Sequence, residues 1–296
     1  MHSQRLAHIH LLGCWELVAA PGAGMYFQGG APVRRLFAFD LDGTISGSNR
    51  SLSAQVARSV EAIHQANDLV LFITGRRQID MAPMRDHMML PDYFGLNNGA
   101  YVYRVRDGHE LLHLRVIPRD TRVLVGESLA AGIVLDVVTE DDWLTNVLTA
   151  GDVEYGHKIG RMPRVFSTVD EIPLGEVEAF MVAGFVDELR EIIDRRGLEL
   201  RCVESEPRCA DIMNSQASKW DCIEHICRAE GIAPDMVVSV GNYTNDIEMI
   251  KNAGLGVAVA DALPGVREAA DVVLVSTCEE DPVAEIAAYV RALDTC

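Results

Sequence analysis

Short apolar runs alternate with helical patterns through most of the chain. The segments Leu36 to Phe39 and Leu69 to Ile73 are apolar runs of strand length. Between them, Val56, Val60 and Ile63 recur at i, i+4 and i+7, the spacing of one face of an α-helix. Two strands joined by a helix form a βαβ unit, whose right-handed crossover makes the strands parallel. The pattern therefore predicts that both strands end at the same edge of one sheet.

The same alternation returns near the end of the chain. A helix is marked by Trp220, Ile223, Ile226 and Cys227, and further strands and helices follow it in turn. These are Val237 to Val240, Leu255 to Val259, Pro264 to Ala270, Val272 to Val275 and Val283 to Leu293. We predict an α/β fold with a doubly wound, Rossmann-like parallel sheet, in which a helix over Ile79 to Met89 also takes part.

The middle of the chain has a different texture. Hairpin-like segments surround the turn Asp107-Gly108, and a helix that Asp187 can cap runs to Gly197. We predict an inserted α+β cap domain over residues 101–210, with the core domain formed by 31–100 and 211–296. Residues 1–30 fit neither pattern, and we interpret them as a disordered extension or a misassigned start, since Met25 can serve as an initiator.

Composition narrows the range of partners. The 296 residues carry 44 acidic against 26 basic side chains, a formal charge of −18, and contain no long basic run. We therefore expect neither a nucleic-acid nor a membrane partner. The seven cysteines are scattered and form no C-x-x-C pair, which favours a reducing cytoplasm. We expect a monomer or a homodimer.

Two carboxylates follow the first predicted core strand directly. Asp40 and Asp42 stand two residues apart, and Gly43 lets the backbone approach a phosphate closely. One carboxylate can attack phosphorus, while the other protonates the leaving oxygen and later activates water. A pair of turn-capping aspartates is the structural alternative. The strand before the pair and Gly-Thr after it favour phosphoryl transfer, with Asp40 as the nucleophile.

Later segments offer partners for these carboxylates. Thr74 and Gly75 follow the next strand and can bind a phosphate, while Arg76 can either steer an anion or pair with an acid. Lys219 can neutralise the transferring oxygens. Asn242 and Asp246, four positions apart after a third strand, can offer oxygens to a hard cation, and we predict Mg²⁺.

These motifs together resemble the haloacid dehalogenase superfamily of phosphohydrolases, in its Cof-like and sucrose-phosphate-phosphatase-like branch. The four motifs are Phe39 to Thr44, Thr74-Gly75-Arg76, Lys219 and Gly241 to Asp246, and Asn98-Gly99-Ala100 is similar to a further segment. The resemblance implies Mg²⁺, an aspartyl-phosphate intermediate and small phosphorylated metabolites, often sugar phosphates. Asn242 departs from it, because the family usually has Asp there as a magnesium ligand. The loss of one charge predicts a weaker metal site.

The resemblance assigns the predicted roles. The catalytic residues are Asp40, Asp42, Thr74 and Lys219. The metal ligands are Asp40, Asp42, Asn242 and Asp246, with Asp42 contributing its backbone carbonyl. The phosphate- or substrate-binding residues are Gly43, Thr74, Gly75, Arg76, Asn98, Lys219 and Asn245.

The leading hypothesis is a Mg²⁺-dependent phosphatase of a small metabolite, expected to be a sugar phosphate. A phosphomutase of the same superfamily and a non-catalytic phospholigand-binding protein are the alternatives. Specificity should lie in the inserted module, where surface placement is nevertheless the simpler interpretation for each polar candidate. Those candidates are His157, Lys158, Arg161, Arg164, Arg201 and Glu204.

Overall fold

The computed structural model describes residues 15–18, 26–29 and 34–294. Its strands are, in chain order, β1 (Trp15–Val18), β2 (Tyr26–Gly29), β3 (Leu36–Asp40), β4 (Leu69–Ile73), β5 (Tyr93–Leu96), β6 (Tyr101–Arg104), β7 (His109–His113), β8 (Asp136–Thr139), β9 (Trp143–Thr145), β10 (Arg164–Val165), β11 (Val177–Ala183), β12 (Leu200–Glu206), β13 (Cys209–Asn214), β14 (Val237–Gly241), β15 (Leu255–Ala258) and β16 (Val272–Val273). The α-helices are α1 (Ala54–Gln65), α2 (Pro118–Ala131), α3 (Ala150–Ile159), α4 (Val186–Arg196), α5 (Lys219–Glu230), α6 (Ile247–Asn252), α7 (Pro264–Ala269) and α8 (Pro282–Asp294). Short 3₁₀ helices span Gln78–His87, Asn97–Gly99, Val169–Glu171, Pro234–Met236 and Thr244–Asp246.

The larger sheet has eight strands in the order β16-β15-β14-β3-β4-β5-β6-β7. The six strands from β16 to β5 are parallel, and β6 and β7 extend the sheet as an antiparallel hairpin. The central strands β3, β4 and β14 are buried and mostly apolar, as a sheet covered on both faces requires. The predicted doubly wound α/β sheet is confirmed.

The register aligns the ends of three neighbouring strands. Asp40 at the end of β3 pairs with Ile73 at the end of β4, and Phe39 pairs with Val240 of β14. Residues that follow these strands therefore leave the sheet at one edge. This is the carboxyl edge at which open parallel sheets bind ligands.

The second sheet has six strands in the order β10-β9-β8-β11-β13-β12 and is antiparallel except between β9 and β10. One face packs with α2 and α4 in an apolar cluster that includes Phe180, Leu189 and Ile212. The other face contributes Met213 to a smaller apolar cluster. This cluster also contains Ala217, which lies between β13 and α5. Side chains alternate between the two faces of a strand, so residues two positions from Met213 also point to this contact.

The sheet boundaries differ from the predicted segment boundaries. The β6–β7 hairpin joins the larger sheet although residues 101–210 are predicted as the insertion, and β13 joins the smaller sheet as far as Asn214. We therefore use "cap" for residues 116–214 and "core" for 34–115 and 215–294. The division into separate domains stays a prediction.

Two local predictions need correction. The helix predicted over Ile79 to Met89 is a 3₁₀ helix, and it contains Pro83, which has no N–H to sustain an α-helix. Asp187 lies in the first turn of α4 and does not cap it, because the N-cap position is Phe185. Gly197 ends that helix in the left-handed conformation, as expected.

A separate pair of strands lies near the start of the chain. Within the predicted extension, β1 and β2 pair antiparallel, and the other residues of 1–30 lie outside the described residues. Among the described helices, none combines the length and apolar character that a membrane crossing needs.

Candidate active site

Asp40 lies at the end of β3 and is 5% exposed. Its Oδ2 accepts a hydrogen bond from Thr44 Oγ1 at 2.8 Å, and its Oδ1 accepts one from Lys219 Nζ at 2.6 Å. Burial raises the pKa of Asp40 to about 7, with Lys219 opposing this rise and the Asp246 carboxylate adding to it. The carboxylate is thus held in a fixed position, while lone pairs on both oxygens stay available.

The turn after Asp40 depends on Gly43. The amides of Thr44, Ile45 and Ser46 all donate to the carbonyl of Leu41, which folds the chain back tightly. Gly43 has a φ of 74°, and a Cβ there would lie 2.3 Å from Asn242 Nδ2. Glycine is therefore required both for the backbone conformation and for the close approach of Asn242.

Lys219 joins two of the predicted motifs. It is the first residue of α5, after the N-cap Ser218, and its Nζ donates to Asp40 and to Asp246 Oδ1 at 2.6 Å each. Burial alone would lower the pKa of Lys219, but the charges of Asp246 and Asp40 outweigh it and raise the pKa. The ammonium is therefore charged and fixed beside the candidate nucleophile.

The second carboxylate oxygen of Asp246 also accepts hydrogen bonds. Its Oδ2 accepts hydrogen bonds from the amides of Asn242 at 2.8 Å and Tyr243 at 3.0 Å. Both oxygens of Asp246 thus hold protein groups in place. The geometry favours a positioning role for Asp246, and its predicted direct contact with a metal stays a prediction.

Asp42 and Arg76 form a bidentate pair. Arg76 Nε and Nη2 donate to the two oxygens of Asp42 at 2.7 Å each, and Nη2 also donates to Ser46 Oγ at 3.0 Å. Burial would raise the pKa of Asp42, but the hydrogen bonds and charge of Arg76 outweigh it and lower the pKa. The guanidinium is 1% exposed, whereas the Asp42 side chain is 43% exposed and can move. Of the two predicted roles of Arg76, the structure shows the pairing with an acid.

Thr74 and Gly75 lie at the end of β4, as the sequence predicts. The Thr74 hydroxyl accepts a hydrogen bond from the Arg76 amide at 3.1 Å. A Cβ on Gly75 would lie 3.2 Å from Asn98 Nδ2 and 3.3 Å from Asp211 Oδ2. Because Gly75 has no side chain, the side chains of Asn98 and Asp211 can lie close to its backbone.

Asn98 connects the core to the cap. Its Oδ1 accepts from Asn245 Nδ2 at 2.9 Å, and its Nδ2 donates to Asp211 Oδ2 at 3.1 Å. Asn97 and Asn98 both have positive φ, 50° and 53°, a conformation that persists only where the surroundings enforce it. The cap carboxylate of Glu178 accepts from Asn97 Nδ2 at 2.9 Å, so each strained asparagine is bound by one cap carboxylate.

Asn242 has the oxygen that suits a metal ion. Its Oδ1 is buried and has no hydrogen-bond partner among the described residues. That oxygen, the Asp40 carboxylate and the Asp42 carbonyl fit a hard cation such as Mg²⁺, which prefers oxygen ligands. Within the described parts of the chain, no cluster of three or more His, Cys, Asp or Glu side chains is arranged to hold a metal. Any metal here therefore depends on an amide and a backbone oxygen.

A pocket of about 210 Å³ opens between the core and the cap. Lys219, Asn98 and Asn245 line it from the core, so three of the predicted phosphate- or substrate-binding residues lie on its wall. Arg201 lines it from the cap and Glu248 from α6. The pocket therefore extends from the cation beside Asp40 to the face of the cap sheet.

Sequence reasoning missed two residues of this region, Asp211 and Glu248. Asp211 stands between Ala210 and Ile212 in a strand, and the face to which it points depends on the sheet register. Of the six polar cap candidates, Arg201 lines the pocket. Others make surface ion pairs, such as Lys158 with Glu154 and Arg164 with Asp142.

A profile of haloacid dehalogenase-like hydrolases matches residues 37–286. The chain belongs to this family. The predicted membership of the haloacid dehalogenase superfamily and of its Cof-like branch is confirmed, and so is the hydrolase class. The match covers both core segments and the whole cap.

Individual relatives of this haloacid dehalogenase-like hydrolase are distant. YxeH of Bacillus subtilis, a candidate phosphatase, is 26% identical over 246 residues, covering 80% of this chain and 91% of the relative. HMP-PP phosphatase of Escherichia coli is 22% identical over 240 residues, covering 79% and 87%. The structure of the subclass IIB sugar phosphatase BT4131 superimposes with a TM-score of 0.73 at 20% identity, covering 88% of this chain and 99% of that chain.

Proposed function

We propose that this protein is a Mg²⁺-dependent phosphatase that hydrolyses a small phosphorylated metabolite, expected to be a sugar phosphate, through an aspartyl phosphate on Asp40. The observation that carries the proposal is the arrangement of Asp40, Lys219 and Asp246, in which a buried carboxylate is held beside a buried ammonium at the carboxyl edge of the sheet. Apolar replacements of buried ion pairs are often neutral or stabilising, so a buried charged group of this kind favours a functional role.

The enzyme class has the broadest support. The chain is a haloacid dehalogenase-like hydrolase, and its relatives include proteins named phosphatases. It is therefore a phosphoric monoester hydrolase of the haloacid dehalogenase type. The sugar-phosphate substrate is supported by the name of one structural relative, a sugar phosphatase, and by the polar pocket beside Lys219.

The first half-reaction forms a bond from an Asp40 oxygen to phosphorus and breaks the bond from phosphorus to the ester oxygen. Lys219 stabilises the negative charge on the transferring oxygens, together with the amides after Asp40 and at Gly75. Asp42 must first rotate away from Arg76, which frees its carboxylate to take up a proton from solvent, and it then gives that proton to the leaving oxygen.

The second half-reaction returns the enzyme to its starting state. Asp42, now ionised, accepts a proton from water as the water oxygen attacks phosphorus, and the bond from phosphorus to Asp40 breaks. Inorganic phosphate leaves. Asp40, Asn242 and the Asp42 carbonyl would hold Mg²⁺, which supplies positive charge against the repulsion between carboxylate and phosphate.

A panel of phosphorylated metabolites, assayed with and without Mg²⁺, tests the proposal. We expect inorganic phosphate to be released only with Mg²⁺, and at least one sugar phosphate to rank among the best substrates. Transfer of the phosphoryl group to a second sugar hydroxyl would instead indicate a mutase, and saturable binding without turnover would indicate a phospholigand-binding protein. Either result contradicts the proposal.

The wider context is also part of the proposal. We expect a cytoplasmic enzyme whose partner is its metabolite, acting as a monomer or homodimer without nucleic acid or membrane. The net charge of −18 supports the expectation that polyanions are not its partners.

A further inference from the structure

Arg201 and Glu248 face each other across the mouth of the pocket. Arg201 lies on β12 opposite Met213 of β13, a residue of the face that contacts the core. Glu248 lies in the first turn of α6, immediately after the loop that holds Asp246. Arg201 Nη2 donates to Glu248 Oε2 at 2.6 Å, so the pair bridges cap and core.

We infer that Arg201 and Glu248 are specificity-determining residues that select a leaving group with neighbouring hydroxyls. The inference rests on the proposed phosphatase function and concerns the alcohol half of the substrate. Both residues line the same pocket as Lys219, the cation beside Asp40. A phosphate ester held at Asp40 therefore extends its alcohol portion toward the pair.

The free atoms of the pair match the chemistry of a diol. Their mutual hydrogen bond uses one nitrogen of Arg201 and one oxygen of Glu248, and both side chains are 38% exposed. Guanidinium N–H groups remain to donate, and Glu248 Oε1 remains to accept. A hydroxyl both donates and accepts, so two adjacent hydroxyls can bind the acid and the base together.

The charge of the pocket wall argues against an anionic leaving group. Arg201 is balanced by Glu248, and Lys219 is balanced by Asp40 and Asp246. The other polar side chains of the wall include the amides of Asn98 and Asn245 and the hydroxyls of Ser218 and Thr244, all of them neutral. The wall therefore offers hydrogen bonds without a surplus of positive charge.

The size of the pocket favours a small leaving group. Its volume of about 210 Å³ is below the roughly 300–1,000 Å³ of sites for drug-sized ligands. A single small polyol or monosaccharide unit suits this space better than a nucleotide does. The substrate class that follows is a monophosphate ester of a small polyhydroxylated alcohol.

Three variants test the inference with two kinds of ester. Arg201→Ala and Glu248→Gln each remove one partner, and the exchange Arg201→Glu with Glu248→Arg keeps an ion pair but reverses its donors and acceptors. The substrates are hexose and pentose monophosphates on one side and p-nitrophenyl phosphate, which has no hydroxyl beside its ester, on the other. Arg196→Ala, which removes an ion pair with Glu127 elsewhere on the cap, is the matched control.

We expect both single variants to lower kcat/KM for sugar phosphates about 10- to 100-fold, mainly through KM, because a charged hydrogen bond to substrate is lost. The value for p-nitrophenyl phosphate should change less than about twofold. The exchanged pair should not recover the activity on sugar phosphates, and the control should match the wild type.

Equal losses for both kinds of ester, or no loss for either, would overturn the inference. Recovery of selectivity in the exchanged pair would also overturn it, because the pair would then act only as a latch between cap and core. A wild-type enzyme that hydrolyses none of these esters would contradict the proposed function itself. The two failures are therefore distinguishable.

Discussion

The core side and the cap side of the pocket are built in different ways. On the core side, the end of β3, the first residue of α5 and the loop after β14 bring together buried charges that satisfy one another, as Lys219 does with Asp40 and Asp246. On the cap side, single residues of an antiparallel sheet reach the pocket by alternation, as Arg201 does on β12. The charges on the core side depend on one another, which suits a reaction chemistry that stays constant. A residue on the cap side can be substituted singly, which suits changes in substrate specificity.

Burial explains why the two sides should respond differently to substitution. Asp40 and Lys219 are almost completely buried, so loss of one partner leaves a charge without compensation. Arg201 and Glu248 are more than a third exposed, and loss of one partner there leaves the other in water. We therefore expect large effects from the buried charges around Asp40 and smaller, substrate-dependent ones from the exposed pair of Arg201 and Glu248.

The largest effect should come from Asp40→Asn. An amide cannot form the phosphoryl intermediate, so we expect kcat to fall by roughly 10⁴-fold or more. Steady-state release of phosphate measures this, with Asp187→Asn on the exposed surface of the cap as the control. If the variant kept its hydrolytic rate, Asp40 on the core side of the pocket would not be the nucleophile.

Asp42→Asn should have the next largest effect. It removes the proton donor, so kcat for a sugar phosphate should fall roughly 10²- to 10⁴-fold. The loss should be smaller for p-nitrophenyl phosphate, whose leaving group needs no proton. Asp107→Asn disrupts a comparable pair, Arg104 with Asp107, on the exposed surface and serves as the control. Equal losses for the two esters would exclude Asp42 as the acid.

Asn242→Asp should strengthen metal binding. It adds a negative charge next to Asp40, and we expect the affinity for Mg²⁺ to rise about 10-fold. Calorimetric titration of the protein with Mg²⁺ measures this without substrate. Asn67→Asp, at the opposite end of the sheet before β4, is the control. Unchanged affinity would show that Asn242 is not a ligand.

The smallest effect concerns the stability of the cap. Burial raises the pKa of Asp136 on β8 from 3.8 to about 6, so the folded state binds this proton more tightly than the unfolded chain does. The stability that the protonated form contributes is present at low pH and is lost as the pH rises from about 4 through about 6.

Asp136→Asn should abolish the loss of stability that accompanies deprotonation of Asp136. Between about pH 4 and pH 7.5, the free energy of unfolding of the wild type should fall by roughly 1–3 kcal/mol relative to the variant. Urea denaturation at several pH values measures the difference, with Asp170→Asn, an exposed carboxyl, as the control. A difference that stays constant with pH would show that Asp136 does not titrate in this range.

The sequence was sufficient to predict the positions of the site residues that follow core strands. Asp40, Thr74 and Asn242 come directly after apolar runs, and the parallel register brings those strand ends together. The doubly wound sheet follows from the same alternation. Here local pattern and global topology agree, so short motifs are informative.

Cap contacts could not be predicted in this way. Whether Asp211 and Arg201 face the core depends on the register of β11, β13 and β12, and a slip of one residue would turn both side chains to the other face. The pairing of Arg76 with Asp42 spans 34 positions and depends on the turn at Gly43. The sequence pattern assigned the β6–β7 hairpin to the insertion, whereas the hairpin extends the larger sheet. A short antiparallel pair can extend either sheet, so its sequence does not show which one it joins.

A covalent intermediate on Asp40 can be trapped directly, because the phosphoryl group is proposed to pass through this residue. Excess enzyme is mixed with its best phosphate ester and Mg²⁺, quenched with acid within the first turnover, digested, and analysed by mass spectrometry. We expect a phosphorylated peptide with the phosphate on Asp40, which should be absent from Asp40→Asn. Phosphate on another residue, or release of inorganic phosphate with no protein-bound phosphate at any time, would contradict it.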